Sequence, residues 1–304
     1  MMNDLSEERS PVLFDPLQFL GCVALNCLLA LFFMGAPFGV LFSHRVLPHP
    51  ISKVACILGI AISHVIFGLP IGLLIVLMLI GLVTVDSVER GVPVQRVLLN
   101  SVFCSLFGAV AVLVVSARMS GESIPHYWSS LADWMSHQIL ARLDVAPFPL
   151  DRLTSMIEIQ FPISMVAIVL LSVWLGVGLA SHLSWFSDEH PLCSQRLRKT
   201  RWSIWIVAGF IATTVGRFLM TSERAALAVA GAEAIFAVLL FCQGCVAVSN
   251  ILEQRSLSRA ARSFWYVVLS TLGFYFSVAL GVVWMIAPAR ARFRRRMDHE
   301  SNIT

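Results

Sequence analysis

Residues 97–117 read VLLNSVFCSLFGAVAVLVVSA, a stretch with no charged side chain. Coiled as an α-helix it would be about 31 Å long, close to the thickness of the hydrocarbon core of a bilayer. The same signature recurs on both sides of it. Apolar runs cover 17–42, 51–85, 161–181, 202–220, 225–251 and 264–287, and the charges sit in short islands between them. Over the 304 residues, 58% are hydrophobic and 13% charged, and the mean hydropathy is +0.81. An average soluble domain carries roughly twice that share of charge. Soluble enzyme, secreted disulfide scaffold, coiled coil and disordered chain are therefore excluded.

Two runs carry internal breaks. Pro37, beside Gly35 and Gly39, divides the first run into a helix and a short second piece. The run 51–85 is too long for one span, and Gly68-Leu69-Pro70 cuts it in two, because proline removes a backbone donor and glycine weakens the preceding turn. The expectation is an all-α polytopic transmembrane helix bundle of about eight spans, forming one integral membrane domain over residues 1–304. A polar segment, 1–16, precedes it. It is acidic and has no basic n-region, so the first run is expected to stay as a membrane helix and not to act as a cleaved signal.

The long polar connection, 118–160, contains Tyr127, Trp128, Leu131, Trp134, Met135 and Ile139 at helical spacing, with Ser129, Ser130, Asp133, Ser136 and His137 between them. That pattern predicts an amphipathic helix over 127–142 lying at the membrane interface, with Trp128, Leu131 and Met135 facing lipid or the bundle.

The net charge is +4 and the pI about 8.8, and placement matters more than either. Arg290, Arg292, Arg294, Arg295 and Arg296 crowd the tail, 288–304. A basic cluster after a last apolar run normally faces cytoplasm and anionic headgroups, and no aromatic or glycine-rich pattern points to nucleic acid. The loops at 43–53, 86–96, 195–201 and 253–262 hold most of the remaining basic residues and fall on one side of an eight-span chain. That count places the tail on the other side, so the two charge signals conflict. The reading places the chain in a bacterial inner membrane.

Ionisable groups inside apolar runs are costly and tend to face a partner or a cavity. Glu233 is the acidic residue well inside a span, and Arg217 lies on the preceding, adjacent run. Together they would form either an ion pair lining a solute or proton path, or a structural helix clamp with Arg217 reaching the interface. Gln243 and Asn250, seven residues apart, share a face of the same helix as Glu233. Ala226, Ala230 and Ala234 form a small-xxx-small row suited to close helix approach. His64, beside Ser63, is a proton-relay or ligand candidate, or simply a hydrogen-bonded structural histidine; His44 and His49 read as solvated loop residues. The candidate ligand-binding set is Glu233, Arg217, Gln243, His64 and Asn250.

Six of the seven cysteines lie inside apolar runs, and Cys193 stands alone in a polar loop. Cys242-Gln243-Gly244-Cys245 has CxxC spacing, but neither a loop-borne second pair nor further zinc ligands accompany it, so buried filler is the expectation. No HExxH, GxSxG, Walker A or dinucleotide fingerprint occurs. No enzyme activity, metal or cofactor is expected.

Several features in order along the chain resemble the YybS-like family of bacterial multi-pass membrane proteins, which is uncharacterised. They are Gly35-Ala36-Pro37-Phe38-Gly39, Leu47-Pro48-His49-Pro50, Glu89-Arg90-Gly91-Val92-Pro93, the Gln243-Gly244 pair, and the ending Leu280-Gly281 to Phe293-Arg294. That family is distantly similar to the S components of energy-coupling-factor transporters. The resemblance implies a bundle that binds a small solute between helices, alone or with an energising membrane partner. Those proteins present an alanine-xxx-alanine face on the first helix, and here Ala24 and Ala30 are not so spaced. The other function class is a non-transporting membrane scaffold or assembly factor. A mid-membrane pocket lined by Glu233, Gln243 and His64 would favour the first class. A solid core with an exposed patch on the 128–139 helix would favour the second.

Overall fold

The computed structural model describes residues 15–31, 36–67, 71–143, 149–182, 202–254 and 273–301, with single residues between 258 and 268. Segment 1–14, Gly68-Leu69-Pro70, Cys193, the loop 195–201 and Arg255, Arg259 and Arg262 lie outside the described residues. Every regular element among the described residues is an α-helix. They are α1 (Pro16–Leu31), α2 (Ala36–Val46), α3 (His49–Phe67), α4 (Ile71–Glu89), α5 (Val94–Ser120), α6 (Ile124–Leu143), α7 (Leu150–His182), α8 (Trp205–Leu219), α9 (Glu223–Gln254) and α10 (Phe274–Ser301). The sequence 288–301 continues the helix of α10.

Among the described residues, three helices are long and apolar enough to cross a membrane: Val94–Ser120, Leu150–Ser181 and Glu223–Leu252. Four more, Pro16–Ala30, Pro50–Ile66, Trp205–Leu219 and Phe274–Ala287, are apolar but shorter. The distribution of side chains is compatible with insertion in a membrane. Val65, Phe103, Phe107, Phe218 and Tyr275 are exposed, while Asn26, Ser43, Thr84, Ser101, Ser172 and Gln243 are buried. Several of these buried hydroxyls bond back to their own helix, Thr84 to the Ile80 carbonyl and Ser101 to that of Val97, which satisfies the group without water.

Contacts fix the helix directions. α4 and α5 run antiparallel, with Thr84 beside Ser101 and Gly72 beside Val112. α8 and α9 are antiparallel, with Gly209 against Phe236 and Gly216 near Val229. α7 and α9 run parallel: Arg152 pairs with Glu223, and Ile163 packs on Gly231. α2 runs parallel to α4, with Val40 on Gly81 and His44 on Glu89. The bundle thus has two ends. α2, α4, α7 and α9 finish at what we term the His44 end, and α5, α8 and α10 finish at the Arg217 end.

The tightest crossing joins α9 to α10. A Cβ on Gly244 would overlap the Ser277 carbonyl, and one on Gly281 would overlap that of Leu240. Small residues let backbones touch here, which is the main source of helix association in lipid. The row expected to do this, Ala226, Ala230 and Ala234, is half-buried instead. Phe241 stacks on Phe274 beside the crossing, with ring centroids 5.1 Å apart.

The first run divides, as expected, into a helix and a short second piece, α1 and α2; Pro37 stands in the first turn of α2, where proline is tolerated because its missing N–H has no helical partner. Two readings of the sequence are corrected. His44 is not in a solvated loop: it lies within α2, with its side chain 21% exposed. The fifth span is the end of a longer helix that starts at Leu150. The first turns of α7 pack antiparallel against α6, with Thr154 donating to Ser136 at 3.1 Å and the Trp128 indole donating to the Glu158 carbonyl at 3.2 Å. Ala132 and Ser136 are fully buried in this hairpin, so α6 rests on protein as well as at the interface.

The Trp128 bond has a local cause. Pro162 sits inside α7, and its ring nitrogen cannot donate to the carbonyl four residues back, that of Glu158. The indole supplies the missing donor from the neighbouring helix.

Candidate functional site

Glu233 and Arg217 come together as the antiparallel run of α8 and α9 allows. Arg217 Nη1 lies 3.4 Å from Glu233 Oε2, and the Thr214 hydroxyl lies 3.1 Å from Glu233 Oε1. The Glu233 side chain is 19% exposed and that of Arg217 55%. The contact is a loose one. Charge-assisted N–H···O bonds are usually about 2.7–2.9 Å long, and the single Thr214 hydrogen is shared with the Phe210 carbonyl at 2.8 Å. Chemically the cluster can hold a carboxylate in place, or yield it to a competing cation.

Its depth follows from α7. The apolar run of that helix begins at Phe161, Ile163 is level with Gly231, and Glu233 lies two residues beyond. At 1.5 Å per residue, Glu233 is about 6 Å inside the apolar zone at the Arg217 end. Arg217 lies two residues from the end of α8.

The remaining candidates are elsewhere. Gln243 is fully buried ten residues further along α9, about 15 Å away. Asn250 lies seven residues beyond it and donates to the Val246 carbonyl of its own helix at 3.0 Å. His64 is near the end of α3, which packs against α1, α2 and α4, so it belongs to a different helix cluster from Glu233. The five candidates do not line one pocket. Cys242 and Cys245 are buried apolar residues of α9, and no group of three or more metal-ligating side chains occurs among the described residues.

Two polar clusters were missed by the sequence reading. Buried Asn26 of α1 donates to the Ser43 hydroxyl of α2 at 2.6 Å and to the Cys22 carbonyl at 2.8 Å. At the His44 end, His44 Nε2 is 2.7 Å from Glu89 Oε1 at the last residue of α4, and His44 Nδ1 is 3.3 Å from the buried Ser52 hydroxyl of α3. A small crevice of about 10 Å³ opens there, lined by Val40, His44, Ser52, Lys53, Cys56 and others. A buried Asn in an apolar run was the available signal for the first cluster. Nothing in the local sequence signals the second.

The chain matches no protein-family model, no curated protein and no solved structure.

Proposed function

We propose that the protein is a non-enzymatic, multi-pass scaffold of a bacterial inner membrane that binds other proteins at its Arg217 end. Its crossings number seven, α3, α4, α5 and α7 to α10, and the α1–α2 hairpin, which enters and leaves at the His44 end, is an eighth membrane element. The supporting observation is the spread of the five polar candidates over separate places, around an α9–α10 crossing closed by backbone contact at Gly244 and Gly281. The α6–α7 hairpin supplies the surface: Trp134 is 57% exposed, and Asp133 and His137 beside it are also exposed.

The test is photo-crosslinking in living cells from positions 134 and 137, with position 107 on the lipid-facing side of α5 as reference. Discrete protein adducts at 134 and 137, absent at 107, are the expected result. Equal patterns at all three positions overturn the scaffold reading.

A second reading rests on the loose Arg217–Glu233 contact. The resemblance to the YybS-like family, and through it to solute-binding S components, implies a small solute and an energising partner. Arg217, more than half exposed, is placed to leave Glu233 for an anionic group. Solute-dependent stabilisation that is lost in Glu233→Gln would establish this reading.

A further inference from the structure

α2 has 11 residues and is about 16 Å long, roughly half the hydrocarbon core. It cannot cross the bilayer, and so its seat depends on lateral contacts with α1, α3, α4 and α7. Those contacts differ in chemistry along its length. At its start, Pro37 and Phe38 press on Gly176 of α7. In its middle, Ser43 holds Asn26 of α1. At its end, facing the membrane surface, His44 holds Glu89 and Ser52. Of these contacts, the one through His44 carries a charge that changes between about pH 5 and 8.

We propose that the His44–Glu89 contact is a proton-operated latch that fastens α2 across the His44 end of the bundle. It is closed when His44 is protonated and loosened as the pH rises through the imidazole titration. The sign follows from the surrounding charges. From α4, Glu89 touches the ring at 2.7 Å and favours the cation. From α3, Lys53 lines the same crevice and opposes it, without a direct contact to the ring. Arg45, next in sequence, is exposed. Asp86, one turn before Glu89, is already paired with Arg90 at 2.9 Å. α1 offers neutral Asn26, and α7 meets α2 about 9 Å back along the helix, at Phe38. Among these groups, direct contact outweighs the shared crevice, so Glu89 sets the sign.

Deprotonation does not abolish the contact. Neutral imidazole still donates one hydrogen, to Glu89, and accepts from Ser52. What is lost is charge assistance, which separates a strong hydrogen bond from an ordinary one. The order Ser52–His44–Glu89 is also that of a nucleophile relay, but the Ser52 hydroxyl is buried, and a substrate cannot reach it while α2 is seated.

The experiment is a double electron–electron resonance measurement on the full chain in nanodiscs, with spin labels at two exposed positions, Arg45 on α2 and Arg96 on α5. At pH 5.5 a single short distance is expected. By pH 8 a second, longer population should grow, with the closed-to-open ratio falling about fivefold, the difference between charge-assisted and neutral hydrogen bonds. Glu89→Gln should show the same distribution at both pH values, with its closed fraction at or below that of the parent at pH 8. A parent distribution that does not change with pH overturns the proposal without recourse to any variant. A pH response that survives in Glu89→Gln overturns the assignment to this pair.

Discussion

Removing the charge of Glu233 separates its two roles. In Glu233→Gln the amide can still meet Thr214, and only the loose contact with a half-exposed arginine is lost. A clamp of that kind is worth at most about 1 kcal/mol, so a fall of a few degrees in the melting temperature in detergent is expected, with the fold intact. Gly244→Ala acts on firmer ground. The added methyl would meet the Ser277 carbonyl, which is backbone and cannot rotate away, so α9 and α10 must separate. Overpacking of this kind costs about 1–3 kcal/mol, and Gly281→Ala should behave alike, while Ala230→Ser should leave the melting temperature within error. The pairing of Glu233 with Arg217 was legible because a carboxylate in an apolar run must find a partner, and the neighbouring helix offers one cation. The true close-contact residues were not. Gly244 and Gly281 are 37 positions apart, and no local pattern says that two isolated glycines meet, whereas a row such as Ala226-Ala230-Ala234 announces itself. His44 and Glu89 escaped for the same reason: each reads as a loop residue until α2 and α4 lie side by side.

Among elements, the α6–α7 hairpin shows where periodicity succeeds and where it stops. Spacing alone located the amphipathic helix over 127–142, and α6 covers it. Spacing could not show that polar residues 150–160 are helical too, because Asp151, Arg152, Thr154 and Glu158 break the apolar pattern that defined the fifth span. The docking of one helix on the other repairs the gap left by Pro162. Trp128→Phe should therefore cost about 1 kcal/mol, the net worth of a hydrogen bond to a part-buried carbonyl. In a Pro162→Ala background the alanine N–H restores the helical bond, so the same Trp128 substitution should cost distinctly less. Equal costs in the two backgrounds would refute the donor role of the indole. Cysteine scanning checks the packing face independently: maleimide labelling from water should be strong at positions 133 and 137 and weak at 131 and 132. Uniform labelling would mean that α6 stands free.

For the whole molecule, the charge conflict becomes a geometric statement. α10 is antiparallel to α9, with Ser277 meeting Gly244 and Gly281 meeting Leu240, so its arginine-rich end emerges at the Arg217 end. Arg45, Lys53, Arg90 and Arg96 lie at the His44 end, where α7 and α9 also finish. These charges and those of the tail are therefore on opposite ends, whichever end faces the cytoplasm. Orientation is then a contest between the basic loops 43–53 and 86–96 and one tail. Short loops next to span ends govern insertion, so these loops should prevail and the tail should be translocated. In cells, a cysteine at Ser222, in the α8–α9 turn, should react with an impermeant maleimide from outside, as should one at Ser301. A cysteine at Ser258, in the α9–α10 connection, should react only after permeabilisation. The reverse pattern at all three positions would keep the fold and give the tail control of orientation. Labelling of 222 and 258 from the same side would contradict the antiparallel course of the helices, and the eight-element count with it.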